Sequence, residues 1–535
     1  MGSRHSVSFE SGEENTKMQR SRARRVGALI VGLTLVAAAC GGDDDDDAAD
    51  STDAVSEATG APAATEAPAA TEAPATEATE APSTEGTTAA TTEGTTEETT
   101  EDTTEGTTEE TTEGTTEGSG PSGEQECGFA PSDTTDGAIA GFAGTTPAGE
   151  LTSDFFNRLC EVDPNLTDLN YAPETYDAVV VTALAAEVAG DDGIAMAGEI
   201  NGVTRDGTKC TTFAECKELI AAGEDIDYDG AGGPLQFAGN GEPLIASYGL
   251  FKMADNNRID PTLTEYTQVE GDASLDVPET PIEGDRAGDG VLTIGTVLPQ
   301  TGTLAFLGPP EFAGFNLAIQ EINEAGGVLG QDVVGIEGDS GDTSTTGDVA
   351  NPTVDRLLAE NVDAIIGAAS SSVTRTIIDK VTSAGVVLFS PANTATDLST
   401  YADKGLYFRT APPDIYQGNV LGQYVVNDGN QTVAIINLND EYGNSLAAQV
   451  KATVEESGGE VVTEITYDPA ATSFDSEVGE IAAADPDAIV VIGFNESYRI
   501  LRSMVEAGIG PTEKMVYGCD GNIGNALGVD FDTAD

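Results

Sequence analysis

The stretch Val291-Leu-Thr-Ile-Gly-Thr-Val-Leu298, followed by a helical pattern over 311–325, decides the fold of this chain. The first segment is almost continuously apolar, which is typical of a strand buried on both faces of a parallel sheet. In the second, Phe315, Ala318 and Ile322 recur at helical spacing and give one apolar face. A buried strand followed by an amphipathic helix predicts the first unit of an α/β domain.

The same alternation continues to the end of the chain. Further apolar runs predict strands at 364–366, 386–389, 433–436, 461–465, 488–492 and 515–517. Amphipathic runs between them predict helices at 373–384, 445–456 and 497–507. The pattern favours parallel sheets flanked by helices on both faces.

An earlier block, residues 127–270, has related character. It contains an apolar helix over 178–188, and the segments 233–237 and 246–253 are typical of a β-ribbon. Residues 271–289, rich in Asp, Glu, Pro and Gly, predict a linker to the block 290–535.

The N-terminus is typical of an export signal. Four arginines between Arg20 and Arg25 precede an apolar run over 26–39, which is too short to span a bilayer as a helix. Small residues and then Cys40 follow, which resembles a bacterial lipobox. We expect residues 1–39 to be a lipoprotein signal peptide and Cys40 to carry lipid, anchoring the protein to the outer face of the cell membrane. An ordinary signal peptide with an incidental cysteine is the alternative.

Residues 40–126 are an acidic segment dominated by Thr, Glu, Ala and Pro, with no Lys or Arg. Such a composition has too few large apolar side chains to form a core, which predicts a disordered linker between the membrane and the domain.

Charge and histidine content exclude several classes of function. The 535 residues carry a formal net charge of −72, which disfavours nucleic acid as a partner. The single histidine, His5, lies in the predicted signal peptide, so the mature chain has none for a Ser-His-Asp triad or a zinc site. We therefore expect no enzyme activity, cofactor or metal.

Cysteine spacing predicts one disulfide. Cys210 and Cys216 are close in sequence and suit an exported protein, so we expect them to pair. The spacing leaves the pairing of Cys127, Cys160 and Cys519 open.

Several short motifs of the second block occur in a characteristic order. They are Ile294-Gly-Thr-Val-Leu-Pro-Gln-Thr-Gly302, Ala318-Ile-Gln-Glu-Ile-Asn-Glu-Ala-Gly-Gly327, Ile366-Gly-Ala-Ala-Ser-Ser-Ser372, Ser390-Pro-Ala-Asn-Thr394 and Asp440-Glu-Tyr-Gly443. Together they resemble the type I periplasmic (leucine/isoleucine/valine-binding) solute-binding proteins of ABC transporters. The resemblance implies a two-lobed α/β fold, with a hinge between the lobes and a small amino-acid-like ligand.

The resemblance also implies an unusual order of segments. Residues 290–535 resemble the N-terminal two thirds of the family, and residues 127–270 resemble its C-terminal third. The chain ends in 530–535, DFDTAD, and the earlier block begins with the similar SDTTDG at 132–137. A circular permutation and a broken tandem both explain this seam.

Four candidate ligand contacts follow from the resemblance. Ser371, before a predicted helix, is expected to donate to a ligand carboxylate, with Ala392 and Thr394 forming a second contact loop. Asp520 is expected to meet a ligand ammonium. The alternatives are a helix-capping serine and an aspartate that forms a turn before glycine.

Further residues are expected around the cleft. Tyr442 and Phe494 are candidate walls, although either could instead belong to the core. The remaining candidates are Thr301, Phe306 and Leu307 at the cleft mouth, and Tyr171 and Tyr176 near the hinge.

These features predict an extracytoplasmic lipoprotein that binds an amino acid, branched-chain or similar, or an amide, and delivers it to an ABC permease. A surface ligand sensor with the same fold, and a stalked surface protein that binds nothing, are the alternatives.

Overall fold

The residues that the structure describes form fourteen β-strands. The structure is a computed structural model, and it describes residues 127–271, 274–341 and 347–533. The strands are β1 (Ala143–Pro147), β2 (Thr208–Cys210), β3 (Ile226–Tyr228), β4 (Ile245–Lys252), β5 (Glu265–Glu270), β6 (Thr293–Val297), β7 (Val334–Ile336), β8 (Ala364–Gly367), β9 (Val387–Ser390), β10 (Tyr407–Arg409), β11 (Thr432–Leu438), β12 (Glu460–Tyr467), β13 (Ala488–Ile492) and β14 (Met515–Gly518). The predicted signal peptide, the lipidated Cys40 and the acidic linker lie outside the described residues.

The same residues form eleven α-helices. They are α1 (Ser153–Val162), α2 (Ala172–Ala189), α3 (Phe213–Ala222), α4 (Gly308–Glu324), α5 (Ala350–Ala359), α6 (Ser371–Ser383), α7 (Asp414–Asn427), α8 (Glu441–Glu456), α9 (Asp475–Ala484), α10 (Ser497–Glu506) and α11 (Asn525–Thr533). Within the described ranges, no helix is both long enough and apolar enough to cross a bilayer.

Each of two lobes is built on one large sheet. The first lobe has five strands in the order β10-β9-β8-β6-β7, and every pair in it is parallel. The second has seven strands in the order β12-β11-β13-β14-β1-β4-β5, with parallel pairs from β12 to β1 and antiparallel pairs beyond. The predicted two-lobed α/β fold with parallel sheets flanked by helices is confirmed.

Strand β1 joins the two blocks of sequence within the second lobe. Ala143 and Gly144 of β1 lie opposite Tyr517 and Gly518 of β14 in a parallel pair. On its other side β1 pairs with β4, which in turn pairs with β5. The earlier block therefore supplies three strands to a sheet whose other four come from the later block.

Helix α2 carries the earlier block into the first lobe. Its sequence is apolar on nearly every side, and all its residues from Ala172 to Ala186 are buried, as expected of a helix surrounded by other elements. It packs on α4 and against β8 and β9. The fit with α4 is close, because a Cβ on Gly314 would come within 2.2 Å of the Ala172 carbonyl oxygen.

The predicted β-ribbon has a different pairing from the one expected. Strand β4 pairs with β5 over Ile245–Leu250 and Glu265–Glu270, whereas residues 233–237 contribute only isolated bridges. Pro234 lacks the N–H that a strand ladder requires, and Gly233 has a φ of 125°, so this segment cannot continue a regular strand.

Candidate ligand-binding site

A small cavity between the lobes collects most of the residues that the sequence singled out. Its volume is about 20 Å³, far below the roughly 300–1,000 Å³ typical of sites for drug-sized ligands, so the lobes lie nearly closed on each other here. Its lining residues are Tyr171, Leu304, Leu307, Ala369, Ser370, Ser371, Ala392, Tyr442, Phe494, Asp520 and Gly521. We call this space the solute cavity.

The first lobe presents the N-terminus of α6 to the solute cavity. Ser370 is the N-cap, and its Oγ accepts a hydrogen bond from Val373 N at 3.4 Å. Ser371 begins the helix, and its buried Oγ accepts from Ala395 N at 3.3 Å. The capping role that the sequence left open for Ser371 thus belongs to Ser370, and the unpaired N–H groups of the helix start favour an anionic group here.

The loop after β9 forms the neighbouring wall. Ser390 Oγ holds this loop by accepting from Ala392 N at 3.2 Å and from Asn393 N at 2.9 Å. Ala392 lines the solute cavity, but Thr394 does not. The Thr394 hydroxyl is buried with no hydrogen-bond partner among the described residues.

Asp520, after β14, supplies the carboxylate of the solute cavity. It is 4% exposed. Tyr171 Oη donates to one carboxylate oxygen at 2.6 Å, and Tyr442 Oη donates to the other at 2.7 Å. Burial raises the pKa of Asp520, and the two tyrosine hydrogen bonds oppose that shift. A ligand ammonium beside Asp520 would favour its ionised form.

Aromatic rings and leucine side chains complete the lining of the solute cavity. The rings of Tyr442 and Phe494 stack with centroids 5.3 Å apart and 12° between their planes. Leu304 and Leu307 are buried and line the same space. This arrangement suits a short apolar side chain on the ligand.

Besides Thr394, three of the candidate residues lie outside the lining of the solute cavity. Thr301 Oγ1 donates to Asp339 at 2.7 Å on the surface. Phe306 is half-buried against the core of the second lobe, and Tyr176 donates to Glu321 at 2.6 Å. Four lining residues were not among the candidate ligand contacts predicted from the sequence: Leu304, Ala369, Ser370 and Gly521. Each of them lies in or next to a segment that contains a predicted contact.

The structure holds two disulfides. One joins Cys210 and Cys216, the pair expected from their spacing, and the other joins Cys127 and Cys160. Cys519 is a buried free thiol whose Sγ lies 3.0 Å from Tyr442 Oη. In the described part of the chain, no group of three or more His, Cys, Asp or Glu residues could hold a metal ion.

Comparison with known proteins finds a family match for the later block of the chain. Residues 291–532 match the family model described as periplasmic binding protein. Over these residues, a little under half of the chain, it is similar to the type I periplasmic binding proteins. Members of this family are binding proteins rather than enzymes.

Two relatives illustrate the extent of the match. The Leu/Ile/Val-binding protein homolog 3 of Brucella melitensis is 28% identical over 236 residues, which is 43% of this chain and 61% of the relative. The leucine-, isoleucine-, valine-, threonine- and alanine-binding protein of Pseudomonas aeruginosa is 30% identical over 214 residues, which is 39% of this chain and 56% of the relative. The match therefore spans less than two thirds of the length of each of these two relatives.

Solved structures give a similar partial match. The substrate-binding protein LivJ of Streptococcus pneumoniae, in complex with isoleucine, is 29% identical, with a TM-score of 0.40 over 45% of this chain and 67% of that one. The leucine-binding protein LivK of Thermotoga maritima is 23% identical, with a TM-score of 0.41 over 46% and 67%.

Proposed function

We propose that this chain is an extracytoplasmic solute-binding lipoprotein that captures a free amino acid, branched-chain or similar, or an amide for an ABC importer. The observation that carries the proposal is the solute cavity, in which a helix N-terminus on one lobe lies across from a buried carboxylate on the other. The names of the two relatives above describe proteins that bind such amino acids.

The two ends of a free amino acid match the two polar groups of the solute cavity. The ligand carboxylate accepts from Ser371 and the first N–H groups of α6. The ligand ammonium donates to Asp520, and the side chain lies among the leucines and the Tyr442–Phe494 stack. Contacts with both lobes form only when the lobes are closed, so ligand binding shifts the population toward the closed state.

The order of segments is part of the proposal. Residues 127–270 act as the C-terminal third of the family and residues 290–535 as its N-terminal two thirds, through circular permutation or a broken tandem. The insertion of β1 between β14 and β4 supports this reading. So does the family match, which covers 291–532 and leaves the earlier block out.

Calorimetric titration of the full-length chain against free amino acids, amides and urea tests the function. We expect saturable binding of one of these classes, with the ligand recovered chemically unchanged. A folded sample that binds no member of the panel, or one that converts its ligand, would contradict solute capture.

Membrane anchoring needs a separate test. We expect wild-type protein to fractionate with membranes of the expressing bacterium and Cys40→Ser protein to lose its lipid. Equal incorporation of a labelled fatty acid by the two proteins would contradict lipidation at Cys40.

A sensor role is the second candidate. One relative, 28% identical over 38% of this chain and 50% of the relative, is the chemotactic signal transduction substrate-binding protein BasB of Halobacterium salinarum. Ligand-dependent association with a permease favours delivery, whereas ligand-dependent association with a signal transducer favours sensing.

A further inference from the structure

A second cavity lies beside the solute cavity, and no residue lines both. This side cavity has a volume of about 640 Å³ and is partly open to solvent. Phe156 on α1 lines it from the first lobe, and Tyr266 on β5 lines it from the second. Asn170 Nδ2 donates to the Ile523 carbonyl oxygen at 3.2 Å, and this contact lies in the wall next to Tyr171 of the solute cavity.

Aromatic rings are concentrated around the side cavity. Its lining includes Phe129, Phe156, Phe251 and Tyr266. Phe129 is 47% exposed and Tyr266 is 46% exposed, unusually high for large aromatic side chains. Phe251 and Tyr266 meet edge to face, with centroids 6.5 Å apart. Exposed aromatic side chains around a concave space are typical of a binding site rather than of an ordinary solvated surface.

The charges at the side cavity are all negative. Its described lining residues include Glu150, Asp168 and Glu174 but no Lys, Arg or His. The Asp168 carboxylate is already occupied, because it accepts from Asn525 N at 2.6 Å and from Ala526 N at 2.9 Å. Glu150 therefore carries the negative charge that remains for a ligand, because burial raises the pKa of Glu174 to about 8.

Glu150 is exposed and has no hydrogen bond or ion pair within the described part of the chain. Its charge acts on the aromatic wall, since the pKa of the Tyr266 phenol is raised by burial and then by the negative charge of Glu150. A carboxylate beside an aromatic ring offers two attractive groups to one cation.

Two buried polar atoms at this cavity lack partners. Thr146 is fully buried and Glu174 is 6% exposed. Thr146 Oγ1 and Glu174 Oε2 have no hydrogen-bond partner among the described residues. Unpaired buried polar atoms are costly, and a hydrogen-bonding group on a ligand that reached them would remove that cost.

We infer that the side cavity binds a small organic cation with an amine head and an aromatic or apolar body. Aromatic faces attract cations, the exposed Glu150 carboxylate accepts from an amine, and the absence of basic residues from its described lining disfavours anions. The acidic segment 43–126 of the chain has no Lys or Arg. Its negative charge therefore makes it a poor occupant of the side cavity, whose charged lining residues are also acidic.

The chain contains no tryptophan, which makes a specific reporter possible. In full-length Tyr266→Trp protein all tryptophan emission arises at the side cavity. We expect phenethylamine to change that emission saturably and 3-phenylpropionate, which has a similar ring and the opposite charge, to bind at least tenfold more weakly. A Tyr401→Trp protein, with its reporter elsewhere on the first lobe, should show no saturable change.

Charge removal completes the test. In the Tyr266→Trp background, Glu150→Gln should weaken phenethylamine binding at least threefold. Glu161→Gln, at an exposed position of α1 outside the cavity lining, should leave it unchanged. Titration calorimetry on the unsubstituted chain provides a second measurement. Absence of saturable heat, equal affinity for the amine and the acid, or equal affinity with and without Glu150 would each overturn the proposal.

Discussion

The phenol of Tyr171 donates a 2.6 Å hydrogen bond to the carboxylate of Asp520, although 349 positions of sequence separate the two residues. Tyr171 comes from the earlier block and Asp520 from the later one, so the solute cavity requires both. Tyr171 also holds a left-handed backbone conformation, with φ 63°, which is unusual for a bulky residue. This conformation just before α2 accompanies the placement of its ring in the cavity.

Replacing Asp520 by Asn should abolish most of the affinity for an amino acid. Removing one partner of a buried charge pair costs about 2–5 kcal/mol, and about 1.4 kcal/mol corresponds to tenfold in Kd. We therefore expect calorimetry to report a loss of at least about 30-fold. Asp428→Asn is the matched control, because Asp428 accepts a similar 2.6 Å hydrogen bond from Tyr517 Oη away from the cavity. Equal losses in the two variants would contradict a ligand role for Asp520.

The adjacent serines at the start of α6 should respond differently to substitution. Ser371→Ala removes a donor to a ligand carboxylate, and a hydrogen bond to a charged group contributes about 1.5–3 kcal/mol. We expect a 10- to 100-fold rise in Kd. Ser370→Ala removes the N-cap and should lower the free energy of unfolding by about 1 kcal/mol. Calorimetry and urea denaturation on both variants separate the roles, and reversed effects would show that the assignments are exchanged.

The protein should lose stability as the pH rises through neutrality. Burial raises the pKa of Glu174 from 4.5 to about 8 in the folded state, so the folded state holds this proton more tightly than the unfolded state does. The corresponding stability is complete below pH 4.5 and is lost as the pH rises toward 8, at about 1.4 kcal/mol per pH unit. Burial also raises the pKa of Asp414 to about 7, with the same sign.

Urea denaturation at a series of pH values between 5 and 9 checks this expectation. Glu174→Gln keeps the shape of the side chain and removes its ionisation, so its free energy of unfolding should fall less steeply with pH than that of the wild type. Parallel pH profiles for the two proteins would show that Glu174 does not titrate in this window.

The two disulfides should contribute unequally to stability. Cys127 and Cys160 are 33 positions apart, whereas Cys210 and Cys216 are 6 apart. Loop-closure entropy in the unfolded chain predicts about 3.7 kcal/mol for the first and about 2.3 kcal/mol for the second. Denaturation of the two paired Cys→Ser variants should preserve that order. A larger effect at the Cys210–Cys216 pair would contradict the entropic argument.

Residues 290–535 alone should not fold cooperatively. Without the earlier block β14 loses its partner β1, and α4 loses the cover of α2. The fully buried Arg409 also loses the carboxylate of Glu242, which accepts from its Nη2 at 2.5 Å. Leaving one member of such a pair buried costs about 3–5 kcal/mol.

Circular dichroism during urea denaturation distinguishes the outcomes for this fragment. We expect a broad, non-cooperative change, in contrast with a sharp transition for the full-length chain. A sharp transition for 290–535 would mean that the earlier block is a separate unit. Sedimentation of the full-length chain adds a second criterion, because obligate dimers would favour a broken tandem over a permutation.

Local patterns explain how much of the fold the sequence predicts. Strand β6 and helix α4 follow from an apolar run and from helical spacing, since both patterns reflect contacts within one element and its immediate cover. Strand β5 was missed because its Glu265–Glu270 segment is polar and largely exposed, and its existence depends on pairing with β4.

The sequence likewise predicted some residues of the candidate site correctly and misplaced others. Motif resemblance led to Ser371, Ala392 and Asp520, which all line the solute cavity. It also led to Thr301, which is paired with Asp339 on the surface instead. A motif reports which loop approaches a site, whereas the direction of each side chain depends on packing that no local pattern encodes.

The sequence by itself determined the alternation of strands and helices, the acidic composition and the restriction of histidine to the predicted leader. Only the tertiary structure decided that Cys127 pairs with Cys160, that Ser370 caps α6 while Ser371 lines the cavity, and that Tyr171 reaches Asp520. The physical reason is the range of the interactions. Hydrophobic periodicity is set by near neighbours in the chain, whereas these contacts exist only after distant segments have paid the entropy of being brought together.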